Sequence, residues 1–219
     1  MPFKNREHAA HLLAQRLIAY RGTKPLVLGI PRGAVPMAKI IADALEGELD
    51  VVLVRKLGAP GQPELAIGSV DESGHLYVSA YARQLEIGDA YIQAEKEEQL
   101  KTLRDRRLLY TPHLPPIEPT GRIVIVVENG IATGATMIAA LRAVRARRPR
   151  KLIAAVAVAP PETLEAIARE ADETVCLETP EVFYAVGAFF EDFSQVSDEE
   201  VIAILQQRGS RPAAQKYGT

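Results

Sequence analysis

"VIVVENGIATGATM", Val124 to Met137, opens as an apolar run, passes through an acid and an amide, and ends in a string of very small residues. An apolar run flanked by a polar, glycine-bearing turn reads as a buried strand entering a loop. Gly130, Ala132, Gly134 and Ala135 leave the loop backbone open to close approach. The amides of residues 132 to 136, at a helix N-terminus, then bind a phosphate without needing a cationic side chain. Thr133 and Thr136 add hydroxyl donors. Glu128 and Asn129, at the strand end, are placed to bind neutral hydroxyls such as those of a ribose. The stretch lacks the P-loop lysine and the dinucleotide-binding glycine spacing, so it reads as a sugar-phosphate cradle of another kind.

The same rhythm recurs on either side. Leu26 to Ile30 (LVLGI) reads as a short buried strand, followed by a Pro-Arg-Gly turn and an apolar helix ending near Gly47. Asp50 to Val54, Ile123 to Val127, Leu152 to Val158 and Thr174 to Leu177 read as further strands, with helices near 135 to 148 and 161 to 171. Strands apolar on both faces, alternating with helices, predict an α/β fold with a doubly wound, mostly parallel sheet. A helix over about 6 to 20 precedes them, on the spacing of Ala10, Leu13, Leu17 and Tyr20.

An insertion over about 56 to 121 interrupts the pattern. It reads as a small β-hairpin (AIGSV and HLYVS across Asp71-Glu72-Ser73-Gly74), then a charged helix around 88 to 110. The run Glu95-Lys96-Glu97-Glu98 reads as a solvated helix face, and the proline-rich "TPHLPPIEPTG" returns the chain to the sheet. Ser197 with Glu200 predicts a capping box and a last helix through Val201, Ile204 and Leu205. One domain over residues 1 to 208 is expected, with a flexible tail over 209 to 219.

A chain of 219 residues can bury a full core, and its 47% hydrophobic and 25% charged content is ordinary for a globular protein. A net charge of −2 argues against a broad nucleic-acid footprint. The single Cys176 excludes an intrachain disulfide and fits a reducing compartment; within Val175-Cys176-Leu177 it reads as a buried structural thiol. No stretch is apolar for long enough to span a bilayer, and the N-terminus lacks a signal-peptide core. A cytoplasmic protein with no membrane or nucleic-acid partner is expected. His8 and His11 share a helix face without a third ligand, and with His75 and His113 they read as non-metal residues.

"VIVVENGIATGATM" resembles the phosphoribosyl diphosphate (PRPP) signature of type I phosphoribosyltransferases, where a strand leads to two acids and a small-residue, threonine-bearing loop. "PRGA" (31 to 34) follows the first core strand, where these enzymes keep their pyrophosphate loop. "VRKLGAPGQPE" (54 to 64) follows the second and is similar to the start of the mobile catalytic loop in adenine and orotate phosphoribosyltransferases. From Phe3 to about Leu205 the chain is similar to a bacterial group of stand-alone phosphoribosyltransferases of unassigned acceptor, sharing "VRKLGAP…PELAIG", "GIATGATM" and "CLETPEVFYAVG…DFSQVSDEEV".

The resemblance implies Mg²⁺-dependent transfer of a 5-phosphoribosyl group from PRPP to a nitrogenous base or related small acceptor, with release of pyrophosphate. It places Glu128 and Asn129 at the ribose, Ala132, Thr133, Gly134, Ala135 and Thr136 around the 5′-phosphate, and Arg32, Gly33 and Ala34 on the pyrophosphate. Arg55 and Lys56 bring further positive charge to the diphosphate, and the loop around Gly58, Pro60 and Gly61 closes over the substrate. Magnesium is held mainly by substrate and water, not by protein side chains. A hood over about 178 to 195 grips the acceptor, with Phe183 and Tyr184 as stacking surfaces and Val186 and Gly187 as backbone contacts. A homodimer is expected on the resemblance alone.

Departures from the family pattern define the alternatives. Asn129 stands where the family keeps a second acid, which removes a negative charge from beside the ribosyl cation. Ala132 replaces the Asp of 6-oxopurine enzymes, and Ala59 aligns with the catalytic Lys of orotate enzymes. The loop "IATGAT" is more similar to the adenine type, in which a loop glutamate assists the base; Glu64 is a candidate for that role or an exposed loop acid. Two function classes follow: a phosphoribosyltransferase, or a non-catalytic PRPP or nucleotide sensor with a weakened acid pair.

Overall fold

The computed structural model describes residues 3–112 and 114–207, so His113 and the tail expected over 209 to 219 lie outside the described residues. The chain begins with α1 (Arg6–Arg16), β1 (Leu26–Gly29), α2 (Val35–Ala44) and β2 (Glu48–Val51). An excursion follows, holding β3 (Val54–Ala59), β4 (Gln62–Asp71), β5 (Leu76–Val78), α3 (Ala80–Gln84) and α4 (Asp89–Tyr110). The chain then returns as β6 (Ile123–Glu128), α5 (Ala135–Ala146), β7 (Lys151–Val158), α6 (Pro161–Ala168), β8 (Glu173–Glu178) and α7 (Asp198–Gln206).

Five strands form one parallel sheet in the order β2-β1-β6-β7-β8, the doubly wound arrangement expected from the sequence. Alternation along each strand splits the apolar runs between two cores. Val27, Ile125, Val127 and Ile153 pack with Leu13 of α1, Met37 and Ile41 of α2, and Leu205 of α7. Their sequence neighbours Leu26, Val124, Val126 and Leu152 pack with Met137 and Leu141 of α5 and Ile167 of α6. The strand order reverses between β1 and β6, and ligands in open α/β sheets bind at such a switch point, outside the carboxyl ends of the strands.

β3, β4 and β5 make a separate antiparallel sheet. Its outer turn is held by Asp71, whose Oδ1 accepts from the Ser73 amide (2.9 Å) and the His75 amide (2.9 Å). Gly68 is required where β4 meets β5, because a Cβ there would lie 2.2 Å from the Tyr77 carbonyl oxygen. The excursion is fastened to the parallel sheet by one buried cation. Arg107 of α4 donates to Asp50 Oδ1 of β2 (2.9 Å) and to the Val51 carbonyl (3.0 Å), and pairs with both carboxylate oxygens of Glu72. The other Asp50 oxygen accepts the Ile117 amide at 2.9 Å, which pins the proline-rich return segment to the same point.

Several expectations shift. The run expected as one strand from Asp50 to Val54 is split: β2 ends at Val51, and Val54 already belongs to the second sheet. The segment expected as a mobile catalytic loop is ordered as β3 and the start of β4, with Leu57, Gly58 and Ala59 buried and Gly61 turning the hairpin at φ 70°. The first helix stops at Arg16 and is followed by a 3₁₀ turn over Ile18–Tyr20, while α3 is an element without a sequence expectation. Cys176 is half-buried, not buried, because β8 is the last strand of the sheet and lacks a covering neighbour on one side. Burial still raises its thiol pKa to about 11, which keeps it an unreactive thiol at neutral pH. The capping box forms as expected, with the Ser197 side chain and Glu200 satisfying each other's backbone amides. Among the described residues no helix is long and apolar enough to cross a membrane.

Candidate active site

The loop after β6 begins with Glu128 and Asn129 and ends at Gly134, which caps α5 in the left-handed conformation at φ 80°. Only the loop's flanks are bonded. The Ile131 amide donates to the Val158 carbonyl at 2.9 Å, and Thr163 of α6 donates its hydroxyl to the Ala132 carbonyl at 2.8 Å. The amides of Ala132, Thr133, Gly134, Ala135 and Thr136 have no acceptor among the described residues, and no side chain caps α5. Ala132, Thr133, Ala135 and Thr136 are exposed, so these donors and the helix dipole face outward together. Thr163, which holds the loop's carbonyl side down, was not anticipated; it lies in the first turn of α6, in a stretch that carries no local motif.

Glu128 is half-buried and its Oε1 accepts the Asn129 amide at 2.9 Å. Desolvation pushes its carboxyl pKa up to about 8, with the Asn129 hydrogen bond and the charge of Arg6 pulling the other way. The Asn129 side chain packs on the loop after β1, so closely that a Cβ on Gly33 would lie 2.9 Å from its Nδ2. The two loops flanking the switch point thus touch through Gly33 and Asn129.

In the β1 loop, Arg32 is half-buried and reaches Asp198 at 3.7 Å, at the start of α7. Tyr110, at the end of α4, donates to the other oxygen of Asp198 at 2.6 Å. Ala34 is buried and its amide donates to Ile30 at 3.4 Å, while the Arg32 and Gly33 amides have no acceptor among the described residues. Arg55, exposed on β3, bonds Gln99 of α4 and shares a recess with Pro31 and Thr136. A wider cleft of ≈ 390 Å³ opens between the antiparallel sheet and α5, where Arg55, Lys56 and Thr136 are joined by Tyr77 and Arg142. The structure therefore brings Arg55 and Lys56 to the first turn of α5. The side chain of Glu64 lies outside what is described.

The hood is irregular, with a 3₁₀ turn over Val186–Phe189, and it pairs with the N-terminus through Phe3 to Phe189 (2.7 Å) and Glu191 to Phe3 (2.8 Å). Its three expected acceptor residues separate. Tyr184 is 89% exposed, whereas Phe183 stacks on Phe189 at 5.3 Å and Val186 packs on the β6 loop. Arg6 of α1, also unanticipated, lies over the Phe193 ring at 3.9 Å and donates to the Ser194 carbonyl at 2.6 Å. Gly130 is the contact on which the hood rests, since a Cβ there would meet Val186 at 2.4 Å and Val158 at 2.9 Å. Gly130→Ala is expected to lower stability by about 1–3 kcal/mol through overpacking, read as a lower denaturation midpoint in urea.

Among the described residues no three His, Cys, Asp or Glu side chains converge to cage a metal. The β6 loop offers a divalent cation one carboxylate, Glu128, and one amide oxygen, Asn129. That donor set suits Mg²⁺ carried largely by substrate oxygens and water.

The sequence model of the phosphoribosyl transferase domain matches residues 4–193. The chain belongs to the phosphoribosyl transferase domain family. It is 42% identical over 206 residues to Rv0571c of Mycobacterium tuberculosis strain H37Rv, a protein provisionally named a phosphoribosyl transferase. That match covers 94% of this chain and 46% of the relative, so the chain spans about half the length of the curated relatives it matches. The crystal structure of TT1426 from Thermus thermophilus is 46% identical and superposes with a TM-score of 0.86, covering 95% of this chain and 99% of that one.

Proposed function

We propose that this chain transfers the 5-phosphoribosyl group of PRPP to a nitrogenous base or related small acceptor and releases pyrophosphate. The observation that carries the reading is the row of unbonded amides from Ala132 to Thr136 at the uncapped start of α5, facing the switch point beside the Arg32 loop. Those amides and the Thr133 and Thr136 hydroxyls hold the 5′-phosphate, and Glu128 receives the ribose hydroxyls. Bond breaking at C1 develops positive charge on the ribose and negative charge on the leaving diphosphate. Preorganised opposite charges at both ends lower that barrier. Arg32 and the Gly33 amide face the diphosphate, with Arg55 and Lys56 adding charge from the antiparallel sheet. Mg²⁺, when bound with the substrate, neutralises diphosphate oxygens. Of Phe183, Tyr184 and Val186, Tyr184 is the exposed side chain that would meet an acceptor, while Phe183 and Val186 shape the hood from within. A homodimer and a cytoplasmic location remain part of this reading.

The test combines protein, Mg²⁺ and PRPP with a panel of bases and follows pyrophosphate release beside a PRPP titration. Release with at least one base is the expected result; tight PRPP binding with no release for any acceptor would count against transfer.

A second reading, a sensor that binds PRPP without turning it over, is favoured by Asn129. Loss of one preorganised electrostatic contact costs about 3 kcal/mol, roughly a hundredfold in rate. Asn129→Asp is therefore expected to raise pyrophosphate release by about tenfold or more. An unchanged rate would assign the low charge at this position no part in turnover.

A further inference from the structure

We infer that Arg106, on the insertion helix α4, is a binding residue for the diphosphate leaving group, so that the excursion completes the catalytic site. The inference rests on the transfer reading above and deepens it.

Arg106 lies beyond the Glu95-Lys96-Glu97-Glu98 run read as a solvated face, where α4 is held through its last turns. Arg107 is buried against Asp50 and Glu72, and Tyr110 is buried and bonded to Asp198. With those two side chains fixed, Thr102, Leu103 and Arg106 fall on one face at helical spacing. That face lines a recess whose other walls include Pro31 of the pyrophosphate loop, Arg55 of β3 and Thr136 of α5, over apolar residues from Ile30 and the 52–54 corner. The recess lies between the loop expected to hold diphosphate and the helix start expected to hold the 5′-phosphate.

The charge pattern points the same way. Arg107, one residue on, is fully paired, and Arg32 has Asp198 beside it. Arg106 is exposed and makes no ion pair or hydrogen bond with its side chain among the described residues. Its charge and that of Arg32 are both felt at the Tyr110 hydroxyl, where each pulls against the rise to about 12 caused first by burial. Arg55 and Arg106 thus line one recess from two elements, and Arg32, beside Pro31 in the adjoining loop, shares with Arg106 the neighbourhood of the Tyr110 hydroxyl. A diphosphate carries several negative charges over two tetrahedral groups, and guanidinium forks suit that geometry.

The test compares wild type, Arg106→Ala and Arg106→Lys by calorimetric titration with pyrophosphate, PRPP and ribose 5-phosphate, each with Mg²⁺. For Arg106→Ala, affinity for pyrophosphate and PRPP is expected to fall about 10- to 100-fold, as for loss of a charge-assisted contact. Ribose 5-phosphate, which lacks the diphosphate, should bind within about twofold of wild type, and Lys should restore part of the loss. Wild-type PRPP binding with unchanged pyrophosphate and PRPP affinity in Arg106→Ala overturns this assignment and leaves the transfer reading standing. An equal loss for ribose 5-phosphate also overturns it, by showing a general disturbance. A wild type that binds neither PRPP nor pyrophosphate overturns both.

Discussion

Arg107→Met is expected to destabilise the protein by about 3–5 kcal/mol, the cost of removing one partner from a buried ion pair. Asp50 is 1% exposed and would lose its cation while remaining enclosed by Val51 and the Ile117 amide. Burial alone would lower the Arg107 pKa, but hydrogen bonds and charge from Glu72 and Asp50 more than offset it, so its pKa is raised and the charge persists. For a domain of this size the loss corresponds to about 10 °C in Tm, measurable by calorimetry. Methionine keeps most of the stem's packing, so a small change would show that the network contributes little beyond volume. Glu72→Gln should cost less than Arg107→Met, because Arg107 would keep Asp50 and the Val51 carbonyl. Because Arg107 also orients α4, Arg107→Met should weaken pyrophosphate binding even at temperatures where the protein stays folded.

Glu128→Gln is expected to reduce turnover by about a hundredfold or more, as the one carboxylate of the β6 loop is lost from beside the ribosyl cation. The same group should dominate the pH profile. Its pKa is raised from 4.5 to about 8, with burial as the main cause. Near neutrality the ligand-free carboxyl is therefore protonated, and turnover should climb from pH 7 to 9 with a midpoint near 8. The sign for stability is opposite. The unfolded chain releases this proton near 4.5 and the folded chain keeps it until about 8, so the folded state binds more protons in that window. The group's contribution is fully present below 4.5 and is lost as pH rises through 8. Wild-type stability should fall across the window by up to about 1.4 kcal/mol per pH unit, and Glu128→Gln should flatten that slope. Parallel profiles for the two proteins would show that Glu128 titrates normally.

The parallel sheet could be read from the sequence because its central strands β1, β6 and β7 are apolar at nearly every position, and the cradle because small residues at a strand end have few other uses. Boundaries were harder where the apolar run from Asp50 to Val54 continues across a change of sheet; Val52 and Leu53 are buried at the corner and look no different from strand residues. The VRKLGAPGQPE segment reads as a loop through its glycines and prolines, yet antiparallel pairing absorbs them as a hairpin. Arg6, Thr163, Arg106 and Asp198 could not be found by pattern. Each comes from a distant element, and its surroundings form only once α1, α4, α6 and α7 have packed.

Asp198 gives the site a resident counter-ion. It sits on Arg32 at 3.7 Å from one oxygen and receives Tyr110 at 2.6 Å on the other. Under the proposed transfer, an incoming diphosphate would exchange with an anion already in place and would not meet a bare cation. Such a swap would start from a guanidinium already biased toward one side of the loop by its neighbouring charge. The same arrangement would tie α7 to what the loop holds: if Arg32 turned to a ligand, Asp198 would keep the Tyr110 hydroxyl at the start of α7.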